Sequence, residues 1–313
     1  MSSESLQYRS ELLQSLRSFF QQRQTMEVDV PVLARSTVTD INIESINVKV
    51  FDDSGYLQTS PEYFMKRLLA CGVGDIFCLG KAFRDSEVGR RHNPEFTMLE
   101  WYRRGWDEHQ LMTEVAELIA ELVQRHTSSD LTVSKLSYAD CFIQYLGVDP
   151  HSAELPVLRQ MAVAASSDSW ITETRANCLD LLFSLNVEPQ LPRGLVFIYD
   201  YPACQSALAQ IHLNERGQAV SRRFEVFFNG MELANGYAEL TDANEQKSRF
   251  EKDIGQRLRD NKLAVAVDNK FIEALESGLP PCAGVALGVD RLLMQLLAAE
   301  SIAQVMPFSW DRC

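Results

Sequence analysis

From Glu95 to Arg103 two sets of side chains interleave without a break. Phe96, Met98, Glu100 and Tyr102 fall on one parity, Thr97, Leu99, Trp101 and Arg103 on the other. A period of two puts each set on its own face of an extended strand. The chain must therefore build a sheet with one face that mixes an aromatic platform with a carboxylate. Two readings of Glu100 stay open on this strand alone: a buried partner for an arginine, or a group that meets a ligand.

Other elements are predicted around this strand. Leu12, Leu13, Leu16, Phe19 and Phe20 recur at helical spacing over 8–22, and Met26, Val28 and Val30 then alternate with acids as far as Pro31. Strand-like alternation at 46–50 turns at Asp52-Asp53-Ser54-Gly55 and resumes to Thr59, where Ser60-Pro61-Glu62 is expected to open a helix with Ser60 as the cap and Pro61 in the first turn. A strand at 76–79, a polar loop at 84–93 and a helix at 111–122 follow. Weaker signals punctuated by Pro150, Pro156 and Pro189 make 127–192 a candidate helical insertion. Strands are expected at 195–199, 203–213, 222–229 and 282–289, with helices at 242–259, 270–277 and 290–299. Strands scattered among helices without strict alternation give an α+β class, a mixed, mainly antiparallel sheet flanked by helices. A chain of 313 residues can be one domain around one broad sheet, so a single unit over 1–313 is expected.

Charge narrows the partners. Thirty basic against 43 acidic residues give a net charge of −13, which removes the attraction that dominates binding to phosphate backbones, so stable tRNA binding is not expected. Seven cysteines form no C-x-x-C pair and sit mostly among apolar neighbours, as reduced cytoplasmic thiols do. No Cys and His cluster has zinc spacing. No signal-peptide core or membrane span is evident, so a cytoplasmic location without a membrane partner is expected.

Several runs are more specific. Phe83-Arg84-Asp85-Ser86-Glu87 and His92-Asn93-Pro94-Glu95-Phe96-Thr97-Met98-Leu99-Glu100-Trp101-Tyr102 resemble motif 2 of the class II aminoacyl-tRNA synthetases. Gly284-Val285-Ala286-Leu287-Gly288-Val289-Asp290-Arg291 resembles motif 3, and the first helix with its strand and Pro31 resembles the dimer-forming motif 1. Arg223-Phe224-Glu225, the run Asn229 to Leu240, and Ser60-Pro61-Glu62 are similar to lysyl-type signatures. The resemblance covers nearly the whole chain. It points to the lysyl branch, and most closely to stand-alone relatives that lysylate elongation factor P.

The resemblance implies a class II catalytic domain that uses ATP and Mg2+, and the chemistry agrees. Joining a carboxylate to an α-phosphate brings two anions together, and a bidentate guanidinium suits both. Arg84 is the candidate, with Arg291 on the outer phosphates. By resemblance Asp85, Ser86, Asn93, Phe96, Glu232, Leu233 and Gly288 also meet ATP, with Phe96 under the adenine. Glu225 and Glu232 match the magnesium positions, although Glu225 has an alternative as partner of Arg222 or Arg223. A diamino acid needs several carboxylates around its ammonium groups. Glu62, Glu100 and Glu239, with Tyr102, Ser60, Pro61 and Ala286, make that expected pocket.

Two positions depart from the synthetase pattern. Ser86 stands where motif 2 has a glutamate, and the intact spacing to His92 leaves Glu87 outside that slot. Ala286 stands where lysyl-tRNA synthetases carry glycine; in the stand-alone relatives that alanine accompanies a preference for (R)-β-lysine over lysine. Motif 1 begins within the first residues, which leaves no room for an anticodon-reading module. The implied acceptor is thus a lysine ε-amine of elongation factor P, and the implied assembly a homodimer. His92 and His109 are the candidate bases, each also readable as a loop hydrogen-bonding residue. A truncated tRNA-charging or small-molecule ligase and a catalytically dead module are the alternatives.

Overall fold

The computed structural model describes residues 3–127, 130–263 and 265–313. Positions 1 and 2 of the expected unit, and 128 and 129 of the expected insertion, lie outside the described residues.

Helix α1 (Ser3–Gln22) buries Leu12, Leu16, Phe19 and Phe20 and leads into a two-residue strand β1 (Met26–Glu27). The alternation to Pro31 had suggested a longer strand. Its start pairs parallel with Ile76 and Phe77, and the contact ends where Val28 N donates to Phe77 O at 2.8 Å. A small sheet follows, of β2 (Leu33–Ala34), β3 (Asn47–Val50) and β4 (Asp53–Leu57). Helix α2 (Glu62–Ala70) begins after Pro61, which is itself the N-cap residue; no side-chain cap bond forms, so Ser60 does not cap.

The large sheet runs through β5 (Ile76–Phe83) and β6 (Glu95–Arg104), then, after helix α3 (Glu108–Thr127), β7 (Val133–Ser137). Helices α4 (Tyr138–Leu146), α5 (Leu155–Ala165) and α6 (Arg175–Leu182) lie in the weakly patterned segment, but it is not only helices and loops as expected, because it also supplies β7, which pairs with residues 195–199 in the large sheet. Ser137 and Thr174 cap α4 and α6, and Gly147 ends α4 at φ +71°, the left-handed conformation that suits glycine. The chain returns to the sheet with β8 (Leu195–Pro202), β9 (Ile211–Leu213), β10 (Ala219–Phe228) and β11 (Met231–Ala238). Helices α7 (Ala243–Arg259) and α8 (Asn269–Gly278), strand β12 (Cys282–Gly288) and helix α9 (Val289–Leu296) complete it. Most of the strand expected at 203–213 is a 3-10 turn and loop, and only Ile211–Leu213 is extended.

Among the described residues nine strands make one sheet in the order β1-β5-β6-β12-β11-β10-β8-β7, with β9 also on β10. Only the outer pairs β1–β5 and β7–β8 are parallel. Leu99 and Trp101 turn to the face covered by α1, α3 and α9, where the largest apolar cluster lies. Phe96, Met98, Glu100 and Tyr102 turn to the opposite face and line a cavity. The α4–α6 helices pack on β8 and β10 in a second cluster, and α2 and α8 form a third beside the cavity.

Candidate active site

Cross-strand register sets the site out in rows. Glu100 lies opposite Ala286, Ala286 opposite Asn235, and Asn235 opposite Glu225. In the next row Tyr102 faces Gly284, Gly284 faces Tyr237, and Tyr237 faces Arg223. Opposed residues on one sheet face stand within contact range, so motif 2, motif 3 and the lysyl-type run meet on one surface. They floor a cavity of about 760 Å³.

Both expected arginines reach that cavity. Arg84 follows β5, its backbone N–H donating to Pro94 O at 2.9 Å, and its guanidinium lies 5.2 Å from the centre of the Phe96 ring. Arg291, in the first turn of α9, donates to Glu232 O at 2.9 Å and to Glu232 Oε2 at 3.3 Å, and its Nη2 stands 2.6 Å from His92 Nε2. Burial and the Arg291 charge hold His92 below the usual imidazole range, which keeps the ring neutral and able to accept. Phe96, Asn93, Glu232, Leu233 and Gly288 share the wall. A Cβ at Gly288 would make only ordinary contacts, the nearest Leu233 O at 3.8 Å. Packing within the chain therefore does not demand glycine there. Asn93 has committed both ends of its amide, donating to Glu95 O at 2.6 Å and accepting from Trp310 N at 2.8 Å.

Asp85 and Ser86 stay off the cavity wall, contrary to expectation. The Asp85 carboxylate folds back to accept from Ser86 N at 2.7 Å, and Ser86 takes a left-handed φ of +61° that turns its exposed side chain outward. Glu87, which spacing had excluded, lines the cavity instead, with Oε1 3.7 Å from Arg84 Nη1.

At the other end stand Ser60, Glu62, Glu100, Tyr102, Glu239 and Ala286. Pro61 does not; it is buried as the cap of α2. Tyr102 donates to Glu100 Oε1 at 2.6 Å, and both are almost fully buried. Burial and the charge of Glu62 push the Glu100 carboxyl well above its usual range, and burial pushes Glu239 up to about 8 against the pull of Lys66. Gly284 is required here. A Cβ would overlap the Tyr102 ring and Glu239 Oε1. Sequence reasoning passed over Lys66, which sits 2.6 Å from both Glu62 Oε1 and Glu239 Oε2. It lies one helical turn from Glu62, and that i,i+4 spacing was the available signal.

Glu225 realises its alternative, pairing with Arg223 and shielded beneath Tyr201, and it does not line the cavity. Even so, burial lifts its carboxyl to about 7, with Arg223 opposing and the charge of Glu232 adding to the rise. Each carboxylate of the pair already meets a guanidinium, Glu225 that of Arg223 and Glu232 that of Arg291. Among the described residues no group of three or more His, Cys, Asp or Glu is placed to hold a metal ion. The two carboxylates therefore fit magnesium only where phosphate oxygens and water supply the remaining ligands, its usual arrangement beside a nucleotide. No helix among the described residues is long and apolar enough to cross a membrane.

Residues 1–312 match the model of the class II tRNA synthetases (D, K and N), and the chain belongs to that family. The chain is thus an ATP-dependent amino acid ligase. Within the family it is similar to proteins named elongation factor P--(R)-beta-lysine ligase. That of Hamiltonella defensa subsp. Acyrthosiphon pisum is 43% identical over 314 residues, covering 97% of this chain and 94% of the relative. Those of Photorhabdus laumondii subsp. laumondii and Proteus mirabilis are each 44% identical, covering 96% of this chain and 93% of the relative.

Proposed function

We propose that the chain activates (R)-β-lysine, or lysine, as its adenylate and transfers the acyl group to the ε-amine of a lysine on elongation factor P. What carries the proposal is one cavity with two guanidinium groups at one end, Arg84 and Arg291, and three carboxylates at the other, the partly buried Glu62 and the buried Glu100 and Glu239. Cations at the first end suit phosphates and a carboxylate, and anions at the second suit two ammonium groups.

In the first step a substrate carboxylate oxygen bonds to the α-phosphorus of ATP and the bond to pyrophosphate breaks. Arg84 holds the two anions together, Arg291 receives charge on the departing end, and Phe96 offers its face to the adenine. Glu225 and Glu232 would hold magnesium, which supplies charge neutralisation on the phosphates when bound. In the second step the acceptor amine attacks the acyl carbon, the bond to AMP breaks, and an amide forms. A lysine amine with a pKa of about 10.4 is neutral in only about one molecule in 2,500 at pH 7, so its proton must leave before or during the attack. His109 lies off the cavity wall, and His92, on it, is committed to Arg291.

In this reading 1–313 is a single catalytic unit, with 127–192 an insertion in it. It works as a cytoplasmic homodimer that does not hold tRNA stably. The similarity to ligases named for elongation factor P supports the acceptor. The test is ATP–pyrophosphate exchange with α- and β-lysine, followed by mass measurement of elongation factor P and a tRNA-charging assay. Exchange with a mass gain of one lysyl unit on the factor is expected. Exchange without that gain, accompanied by charged tRNA, would overturn the acceptor assignment.

A further inference from the structure

The diamino acid pocket contains an ammonium group of its own. Lys66 is 1% exposed and lies behind the cavity wall, while Glu62 and Glu239, which it contacts, stand on that wall. It donates to Glu62 Oε1 from one turn along α2, and its Nζ meets Glu239 Oε2 from beneath. The other Glu239 oxygen, Oε1, is turned toward Gly284 on the cavity floor. Lys66 thus grips one oxygen of each carboxylate from the rear.

Charge explains the need. Three carboxylates crowded into an apolar recess cannot all ionise unless cations are near. With every group ionised, Glu62, Glu100 and Glu239 against Lys66 leave two net negative charges. The two ammonium groups of a diamino acid neutralise that number. Without Lys66 the pocket would carry three, an excess that one carboxylate would relieve by taking a proton and so ceasing to accept from the ligand. The groups around Lys66 are consistent with an anchored cation. Glu62 faces it on α2, Glu239 beyond the end of β11, the charge of Glu100 reaches it from β6, the Cys282 thiol lies near on β12, and the Phe271 ring of α8 has its centre 5.9 Å away.

We infer that Lys66 is a positioning residue for amino acid selection: it orients Glu62 and Glu239 from behind and sets the pocket's charge to match a substrate with two ammonium groups. The inference rests on the reading above that this end of the cavity receives a diamino acid. Burial alone would lower the Lys66 pKa, but Glu239 and Glu62 outweigh it and hold the ammonium charged above its usual range.

The experiment is ATP–pyrophosphate exchange with (R)-β-lysine and with lysine across pH 6 to 9, for the wild type, Lys66→Gln and the double variant Lys66→Gln/Glu62→Gln. The double variant removes one charge of each sign and restores two net negatives. Removing one member of a buried charge cluster predicts an amino acid KM on the order of tenfold higher or more for Lys66→Gln, with ATP KM held within about twofold. The pH at which that KM falls should move upward in Lys66→Gln and move back in the double variant. Thermal unfolding of each variant separates a misfolded protein from a mispositioned pocket; if Lys66→Gln does not fold, the double variant against Glu62→Gln alone carries the comparison, where the double variant, with two net negatives against one, should have the lower amino acid KM and equal values would overturn the inference. An unchanged amino acid KM and pH midpoint in Lys66→Gln, or equal rises in amino acid and ATP KM, would overturn the inference and leave the activity standing. Absence of exchange by the wild type with either amino acid would overturn the activity, and the pocket-charge assignment with it.

Discussion

Arg291 places Nη2 2.6 Å from His92 Nε2, so the residue at the outer end of the cavity is held by a ring that must be neutral to accept from it. Burial and the neighbouring guanidinium depress the His92 pKa below 6.5. A histidine with a depressed pKa supports its neutral-form contact above that pKa and loses it as pH falls through it. Exchange activity should therefore show an acid limb below pH 6.5, and His92→Ala should lower kcat by on the order of tenfold while removing that limb. A pH–rate profile of both proteins decides it.

Gly284 has no room for a side chain, because a methyl would strike the Tyr102 ring and Glu239 Oε1. Overpacking of this kind costs about 1–3 kcal/mol, and here it falls on two substrate-pocket groups at once. Gly284→Ala should cut kcat/KM for the amino acid on the order of a hundredfold, beyond its effect on ATP KM. Steady-state exchange kinetics measure the split.

The unliganded pocket resists full ionisation, with Glu239 pushed up to about 8 and Glu100 also raised. A ligand bearing two ammonium groups needs those carboxylates ionised, so binding releases protons. Amino acid affinity should rise from pH 6 to 8 and level off above. Calorimetry in buffers of different ionisation enthalpy would report the released protons, and a flat profile would refute this.

Ala286 sits between Glu100 and Asn235 in the cross-strand row, with its methyl on the cavity face. Ala286→Gly is expected to raise the use of α-lysine relative to (R)-β-lysine. One methyl is worth roughly 1–3 kcal/mol in such a pocket. Identical relative adenylation rates for the two isomers would refute this.

Arg9 of α1 donates to Asp290 Oδ1 at 2.6 Å and to Thr97 Oγ1 at 2.7 Å, while Thr97 N donates to Asp290 Oδ2 at 2.6 Å. Arg9→Ala would strand a buried carboxylate next to Arg291, a loss of about 3–5 kcal/mol. The melting temperature should drop and ATP KM should rise together.

Much of this was legible because the informative patterns were local. Alternation in β6 fixed which of its side chains share a face, and every one of Phe96, Met98, Glu100 and Tyr102 reaches the cavity. Strand β11 was not read as a strand because Asn235 and Tyr237 face the cavity while Gly236 packs under the Phe224 ring, which breaks the apolar alternation. The turn at Ser86 was hidden for another reason. Counting along a motif assumes ordinary backbone, and a left-handed residue in the loop brings Glu87 inward in place of its neighbours. Lys66 went unremarked because a lysine on a short helix reads as solvated surface until the fold brings Glu239 to it.

Asn93 has a last consequence. Its carbonyl oxygen takes the N–H of Trp310, and the segment beyond is pinned again where Arg312 donates to Ala303 O at 2.5 Å and to Ser309 Oγ at 2.9 Å. The final turn of the chain is therefore a brace for the loop that presents Arg84. Clipping a handful of terminal residues, a change remote in sequence and outside every recognisable motif, would act as an active-site lesion.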